Sequence, residues 1–227
     1  MPIGTKTAYT ENPSTDVSSY SWSHTRAADS GLQVMCLIKS NSNPSRTVTS
    51  ITFGSQTMTI QAQDKVDGVG RLICAVATLD PGVGPTGAQT VTVTLSGNDG
   101  RHFVGWAVDI ADTGGAAGGA ATSVNDGGAT AVSVSYTPAV SGELLVAEGG
   151  CVGSNGSVYE GSGWTDEGTA ESAITSSYAV EARLESKTAP DASAQIADVT
   201  FSASRTDRAI VVAGWKAAAR GAMMMAA

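Results

Sequence analysis

Residues 89–95 read QTVTVTL, and this stretch decides the fold class. Val91, Val93 and Leu95 lie on one side of an extended chain, and the threonines between them lie on the other. Strict alternation of apolar and polar residues predicts a half-buried antiparallel β-strand, because successive side chains of a strand point to opposite faces. The same spacing recurs in residues 104–110, where valine, tryptophan, valine and isoleucine occupy every second position.

Strand-length runs continue along the chain, separated by turn-forming residues such as 80–82 (DPG) and 97–100 (GNDG). Charged residues make up only 15% of the chain and glycine occurs 27 times, which suits strands joined by tight turns. No stretch predicts an amphipathic helix of ordinary length. We therefore predict an all-β, antiparallel β-sandwich with fewer than about a tenth of its residues in helices. The further predicted strands are 18–25, 32–39, 48–53, 58–63, 71–79, 131–136, 143–148, 177–185, 194–201 and 209–216.

The chain also repeats itself at a shift of 106 residues. Leu95 corresponds at this shift to Phe201, and Val104 corresponds to Ile210. Residues 71–79 fall on 177–185, and Ser96 on Ser202, while 31–34 matches 142–145 after some slippage. Chance matching of β-rich sequence is the alternative, but a shared offset across separate strands favours an internal duplication of two related halves.

A run of small residues, GGAAGGAA at 114–121, lies between the halves. It predicts either a flexible linker between two domains or a long surface connection within one sandwich domain. The predicted divisions are an N-terminal arm with the first strand (1–30), a first β-rich half (31–113), a Gly/Ala-rich connection (114–129), a second β-rich half (130–216) and a C-terminal tail (217–227).

The order of these segments resembles a known group of modules. The segments are a strand–turn–strand at 50–59, the turn at 80–82, the strand 89–97 and the apolar strand 104–110. Their order is similar to that of the jelly-roll or concanavalin-like β-sandwiches of bacteriophage virion proteins, both capsid-decorating and tail-associated, and of bacterial surface proteins. The resemblance implies a two-sheet antiparallel jelly roll, as in capsid and lectin domains. It implies no catalytic residues.

Charge and chain ends narrow the classes of partner. The net charge of −8 and the pI near 4.6 argue against binding to nucleic acid or to an anionic membrane. Residues 1–6 do not begin a signal peptide and no apolar run reaches membrane-spanning length, so we expect a protein made in the host cytoplasm. Cys36, Cys74 and Cys151 each lie in an apolar run and are expected to be buried, with a Cys36–Cys74 bridge as the alternative.

No catalytic, metal or cofactor motif emerges, so we expect no enzyme and no cofactor. His24 and His102 have no ligand at metal spacing. Glu181 and Glu185 share a strand face and are the best candidates for a carboxylate pair of the glycosidase kind. Their alternation with apolar residues favours a polar outer face instead.

Candidate contact residues are aromatic or terminal. Trp106 sits on an apolar strand face and is expected in the core. Trp164 is the best candidate for a ligand-binding loop aromatic, and Trp215, which the offset places at the position of Asp109, marks a contact surface if its face is exposed. The ends, 1–9 and 217–227, are expected to be flexible arms. The tail adds three adaptable apolar side chains, Met223, Met224 and Met225.

Three functions follow from these features. The first is a non-enzymatic phage virion structural protein, most specifically a capsid decoration protein that binds the major capsid protein or another virion protein as a homo-oligomer, trimer or dimer. The second is a carbohydrate-binding β-sandwich module with a glycan as its ligand. The third, a glycan-cleaving enzyme, depends on Glu181 or Glu185.

Overall fold

The computed structural model describes residues 1–13, 15–41, 46–66, 71–153, 157–172 and 179–218. These residues form seventeen strands and no helix, which confirms the predicted all-β fold. Within the same ranges, no helix is long and apolar enough to cross a membrane. The strands are β1 (Ile3–Glu11), β2 (Ser19–Arg26), β3 (Gly31–Ser40), β4 (Val48–Phe53), β5 (Gln56–Thr57), β6 (Thr59–Lys65), β7 (Leu72–Leu79), β8 (Gly87–Leu95), β9 (Gly100–Ile110), β10 (Thr113–Asn125), β11 (Ala129–Tyr136), β12 (Leu144–Val152), β13 (Val158–Tyr159), β14 (Thr165–Glu171), β15 (Val180–Thr188), β16 (Gln195–Arg205) and β17 (Arg208–Ala217).

The first nine strands form a sandwich, which we call sandwich 1. Its inner sheet has five strands in the order β1-β9-β3-β7-β6, and its outer sheet has four in the order β2-β8-β4-β5. All strand pairs are antiparallel. Strands that follow one another in sequence mostly alternate between the two sheets, which is the jelly-roll arrangement.

The last eight strands form sandwich 2 with the same topology. Its inner sheet has the order β10-β17-β12-β15-β14, and its outer sheet the order β11-β16-β13. Each strand occupies the place of its counterpart in sandwich 1, and only β5 has no equivalent among the described residues. The strand order therefore confirms the predicted duplication.

The β-bulges are duplicated as well. The β6–β7 ladder shifts register between Ile60 and Ala62, and the β14–β15 ladder shifts between Asp166 and Gly168 at the equivalent point. The first strand of each sandwich also carries a register shift, in β1 after Ile3 and in β10 after Ala116. A bulge fixes the local bend and register of a strand, so equivalent bulges allow the two halves to be aligned residue by residue.

The bulges also correct the offset that the sequence predicts. Leu95 and Phe201 face the interiors of their own sandwiches, as expected for equivalent residues. Val104 and Ile210 are not equivalent, because Val104 faces the other sandwich whereas Ile210 faces the interior of sandwich 2. By register, Trp215 stands where Ile110 stands, one residue away from the position predicted for it. Such a slip reverses the face of every side chain in a strand.

The two inner sheets stack on each other, so the molecule has four layers. One apolar core lies between the inner sheets, and one lies inside each sandwich. Strands of the inner sheets are consequently buried on both faces: every residue of β3, β7 and β12 is buried. Strands of the outer sheets bury alternate residues, as β2 does. The alternating pattern thus marks the outer layers, and continuous apolar runs mark the inner ones.

Two segments that the sequence predicts as an arm and a linker are strands. Residues 3–11 of the predicted arm form β1, which pairs with β9, and Met1 and Ile3 pack against the core between the sandwiches. The Gly/Ala-rich stretch forms β10, the edge strand paired with β17. β10 also lies against β6 of the other inner sheet, where its small residues allow close approach. Pairing and packing therefore override the low strand propensity of glycine and alanine.

The three cysteines are free and buried, as predicted. Cys36 faces the interior of sandwich 1 whereas Cys74 faces sandwich 2, so the two thiols lie on opposite faces of one sheet and cannot form the alternative bridge. Burial raises the pKa of the Cys74 thiol well above its usual value. Trp106 is also in the core between the sandwiches, as expected.

Glu148 is a buried carboxylic acid within the stack. It is fully buried in β12, neither carboxylate oxygen has a hydrogen-bond partner, and it stands at the register position of Met35. Burial raises the pKa of Glu148 well above its ordinary value of 4.5, so the folded protein holds this group as the neutral acid.

Burial of the cysteines predicts a labelling pattern. A thiol reagent such as 5,5′-dithiobis(2-nitrobenzoate) should label the native protein slowly, because the thiolate must form in an apolar layer, and the unfolded protein at all three sites. Absorbance at neutral pH with and without denaturant measures both rates. Fast labelling of all three thiols in the native protein would contradict the assigned strand faces.

Replacement of Glu148 by methionine should stabilise the protein. The residue of sandwich 1 at this position is Met35, and the change removes a buried polar group without partners, worth about 1–3 kcal/mol. Because the folded pKa is raised, the stability linked to Glu148 is full below pH 4.5 and falls as the pH rises toward the folded pKa, by up to about 1.4 kcal/mol per pH unit.

Urea unfolding of Glu148→Met at pH 5 and pH 8 measures both effects. Glu148→Gln is the comparator, because it removes the titration but keeps a polar group. If both variants lose the same stability between pH 5 and pH 8 as the unaltered protein does, Glu148 does not hold a proton in the fold.

Candidate functional site

The interiors of the two sandwiches differ along one strand. The residues of β7 that face the interior of sandwich 1 are apolar, whereas their register equivalents in β15 are charged. The equivalent pairs are Ile73 with Glu181, Ala75 with Arg183, and Ala77 with Glu185. Charged side chains therefore occupy positions at which the same scaffold otherwise places its core.

Both candidate carboxylates lie inside this sandwich. Glu181 is 3% exposed and Glu185 is fully buried, so the predicted polar outer face is wrong. The predicted alternation is present, but β15 belongs to an inner sheet, so both of its faces are covered by other strands and most of its residues are buried. The two carboxylates share a face, as predicted from their spacing.

Arg183 lies between them and is held by three partners. Its guanidinium contacts the carboxylates of Glu160 and Asp166, each at 2.6 Å, and donates a hydrogen bond to the Val158 carbonyl at 2.7 Å. The two ion pairs compensate its charge. Arg183 thus fixes β13 and β14 against β15 and does not present a free cation.

Glu185 is tied to the loop after β13. Its Oε2 accepts a hydrogen bond from the Gly161 N–H at 2.8 Å, and Gly161 lies so close to Asp198 that a Cβ would overlap it. Burial raises the pKa of Glu185 to about 8, although the Gly161 hydrogen bond opposes the shift. Glu185 is closed off from solvent and does not line the opening described next.

A cleft of about 440 Å³ opens beside these charges at the edge of sandwich 2. It lies between β13 on one side and β14 and β15 on the other. Its lining residues are Ser157, Val158, Tyr159, Thr169, Ala170, Glu171, Glu181, Ala182 and Arg183. We call it the β13–β15 cleft.

Sandwich 1 has a smaller opening at the equivalent place, of about 130 Å³. There Lys65 stands at the position of Glu171, and Ile73 at that of Glu181. The Gln63 side chain accepts a hydrogen bond from the Val48 N–H at 3.0 Å and closes the gap between the sheets. The two sandwiches therefore differ at this place, and the opening of sandwich 2 is the larger and carries two glutamates, Glu171 and Glu181.

Glu171 and Glu181 face each other directly across the β14–β15 ladder. Opposed residues of this kind have Cβ atoms about 4.5–5.5 Å apart, and like charges there are unfavourable. With Glu160 and Asp166 already engaged by Arg183, the cleft offers carboxylate oxygens and hydroxyls as hydrogen-bonding groups. Such a cleft repels phosphates, sulfates and uronates, and it suits ligands that donate hydrogen bonds.

The predicted aromatic contacts do not reach this surface. Trp164 is 7% exposed, packs in the core of sandwich 2 and donates its indole N–H to the Ile196 carbonyl at 2.9 Å. Trp215 is fully buried between the sandwiches, where it donates to Gln33 at 2.6 Å. Neither side chain is placed to contact a partner. Met223, Met224 and Met225 lie outside the described residues.

His24 has structural partners, and His102 is buried. His24 is buried between the Thr7 hydroxyl at 2.9 Å and the Asp109 carboxylate at 3.1 Å, which joins β1, β2 and β9. Burial lowers the pKa of His102, helped by the nearby Lys39. Among the described residues, no group of three histidine, cysteine or acidic side chains is placed to hold a metal ion.

Sequence reasoning missed three residues of the cleft, Tyr159, Glu171 and Arg183. The available signal is the alternation of charged and apolar residues in 180–186, which predicts that the charged side chains lie on a solvent-exposed face. Tyr159, at 48% exposure, is the one aromatic side chain of the cleft and sits in a strand of only two residues, too short for a periodic pattern.

The burial of Glu185 predicts a carboxyl group that titrates late. In ¹³C NMR spectra its side-chain carboxyl should titrate with a midpoint near pH 8, because burial penalises the ionised form, and the signal should vanish in Glu185→Gln. The folded stability linked to Glu185 is full below pH 4.5 and is lost as the pH rises toward 8. A midpoint near 4.5 would mean that Glu185 is solvated.

Comparison of the chain with protein-family models, with curated proteins and with solved structures gave no match in any of the three. Function is therefore inferred from the geometry of the chain itself.

Proposed function

We propose that this protein is a non-enzymatic virion structural protein that decorates the outer surface of a bacteriophage capsid. The observation that carries the proposal is a sheet face whose described outward side chains are uncharged, on one side of the four-layer stack. This face is the outer side of the outer sheet of sandwich 1. We call it the hydroxyl face, and its residues are Ser19, Ser21, Ser23, Ser50, Thr52, Thr90, Thr92 and Thr94.

The hydroxyl face follows from the alternating strands. β2 and β8 turn their apolar residues inward and pair serine with threonine outward, as Ser21 with Thr92 at 2.9 Å. Short hydroxyl side chains lose little rotamer entropy on contact, and no charge has to be desolvated. In a chain of net charge −8, such a neutral face is suited to a protein partner.

The size of this face supports self-association. The four strands of this sheet have eight, nine, six and two residues and cover roughly 400 Å², whereas a stable interface buries about 800 Å² per partner. One copy therefore binds a shell weakly through this face alone. A dimer or trimer engages several shell subunits together, so that weak contacts combine.

One of the two predicted arms is committed to its own sandwich, and the other lies mostly outside the described residues. Residues 3–11 are committed to β1, and of the predicted tail the described part, Ala217–Ala218, continues β17 or follows it directly. The sheet face is therefore assigned the principal contact.

Co-sedimentation tests the proposal. Particles of the phage that carries the gene are grown without this protein, and the purified protein is then added to them. Ser21→Lys should lower the amount bound at a given concentration by about tenfold or more, because the contact would have to bury an unpaired charge. Ser133→Lys is the matched control, since Ser133 occupies the equivalent exposed position on the outer sheet of sandwich 2. It should bind like the unaltered chain.

Three results would count against the proposal. Absence of the protein from purified particles would refute a virion role. Failure of the unaltered chain to bind the particles would refute decoration. Equal binding by both lysine variants would remove the hydroxyl face from the contact.

A further inference from the structure

We propose that the β13–β15 cleft is a binding site for a neutral saccharide, independent of the capsid contact. The cleft belongs to sandwich 2, and the hydroxyl face is the outer surface of sandwich 1 on the other side of the stack. The volume of about 440 Å³ falls within the range of about 300–1,000 Å³ that small-molecule sites occupy.

The first argument concerns the effect of the buried charges on stability. Sandwich 1 fills the equivalent strand face with Ile73 and alanines, which shows that this scaffold closes readily with an apolar core. Sandwich 2 places Glu181 and Arg183 there instead, and because replacing buried ionic groups by apolar side chains is often neutral or stabilising, the stability of the fold alone does not require them. The opening beside these residues is about 440 Å³, against about 130 Å³ in sandwich 1.

The second argument is the chemistry of the lining. Carboxylates accept hydrogen bonds from pairs of sugar hydroxyls, and Glu171 supplies one such group at the half-buried wall of the cleft. The hydroxyls of Ser157 and Thr169 both donate and accept. Tyr159, half exposed at the rim, offers a ring face on which the apolar side of a sugar can stack.

The third argument excludes other ligand classes. Arg183 is engaged by two carboxylates, so the described lining residues of the cleft include no free cation to hold a phosphate, a sulfate or an acidic sugar. The absence of a metal-binding group among the described residues removes a cation-bridged ligand. An uncharged, hydroxyl-rich ligand fits the remaining groups of the lining, which are carboxylates, hydroxyls and one aromatic ring.

The test uses the full-length protein and four neutral tetrasaccharides: cellotetraose, maltotetraose, xylotetraose and tetra-N-acetylchitotetraose. Isothermal titration should show binding of at least one of them with a Kd below about 10 mM, with ¹⁵N shift changes at residues 157–159 and 169–171. The sugar should be recovered uncleaved by chromatography.

Two pairs of variants locate the site. Tyr159→Ala and Glu171→Gln should each weaken binding by about fivefold or more, since each removes one direct contact. Their controls are Ile196→Ala, an exposed apolar residue of the same outer sheet, and Lys65→Gln, the counterpart of Glu171 in sandwich 1. Both controls should bind normally.

The outcomes are distinct from those of the capsid test. Failure of all four tetrasaccharides to bind, or binding that Tyr159→Ala and Glu171→Gln leave unchanged, overturns the inference. Cleavage of a bound tetrasaccharide also overturns it, because the site would then be catalytic. Each variant is checked by thermal unfolding, and Tyr159→Ala keeps the test decisive if Glu171→Gln unfolds, because Tyr159 is exposed.

Discussion

The whole molecule depends on the stacking of the two inner sheets. A sheet buried on both faces has no side on which polar side chains meet water, so its central strands are mostly apolar and a polar side chain on them needs a partner or loses its charge. This constraint accounts for the uninterrupted burial of β3, β7 and β12 and for the close fit at Gly31, where a Cβ would overlap the Trp215 ring. Gln33 is tolerated there because it accepts the Trp215 N–H and donates to the Val146 carbonyl.

Duplication gives each inner sheet a partner of its own kind. β3 lies over β12, β7 over β17 and β9 over β15, which is the approximate two-fold relation of a symmetric dimer contained in one chain. The symmetry is not exact. Between the inner sheets, Glu148 occupies the position equivalent to Met35, and inside sandwich 2 the charged residues of β15 replace the apolar residues of β7. Sandwich 1 keeps the equivalent face of β7 apolar and buries its own ionisable groups elsewhere, at His24, Arg26 and Asp109.

The fold was largely predictable, and the site was not. Alternation in 89–95 identified a half-buried strand, and the repeat identified corresponding strands, because both depend on local periodicity. β1 and β10 were missed because their stability comes from pairing with β9 and β17 and not from their composition. Trp164 and Trp215 were read as contact residues because a sequence does not indicate which aromatic side chains a second layer will cover.

The sequence by itself determined the all-β class, most of the strand positions and the burial of the cysteines, since each depends on which residues are apolar and how they are spaced. Tertiary structure alone decided which strands are inner and which outer. That decision moved Glu181 and Glu185 from the predicted outer face into an interior, and it placed Glu181 with Tyr159 and Glu171 at one cleft. The physical reason is that period two tells which residues share a face of a strand, whereas what covers that face depends on sheets formed by segments far apart in the chain.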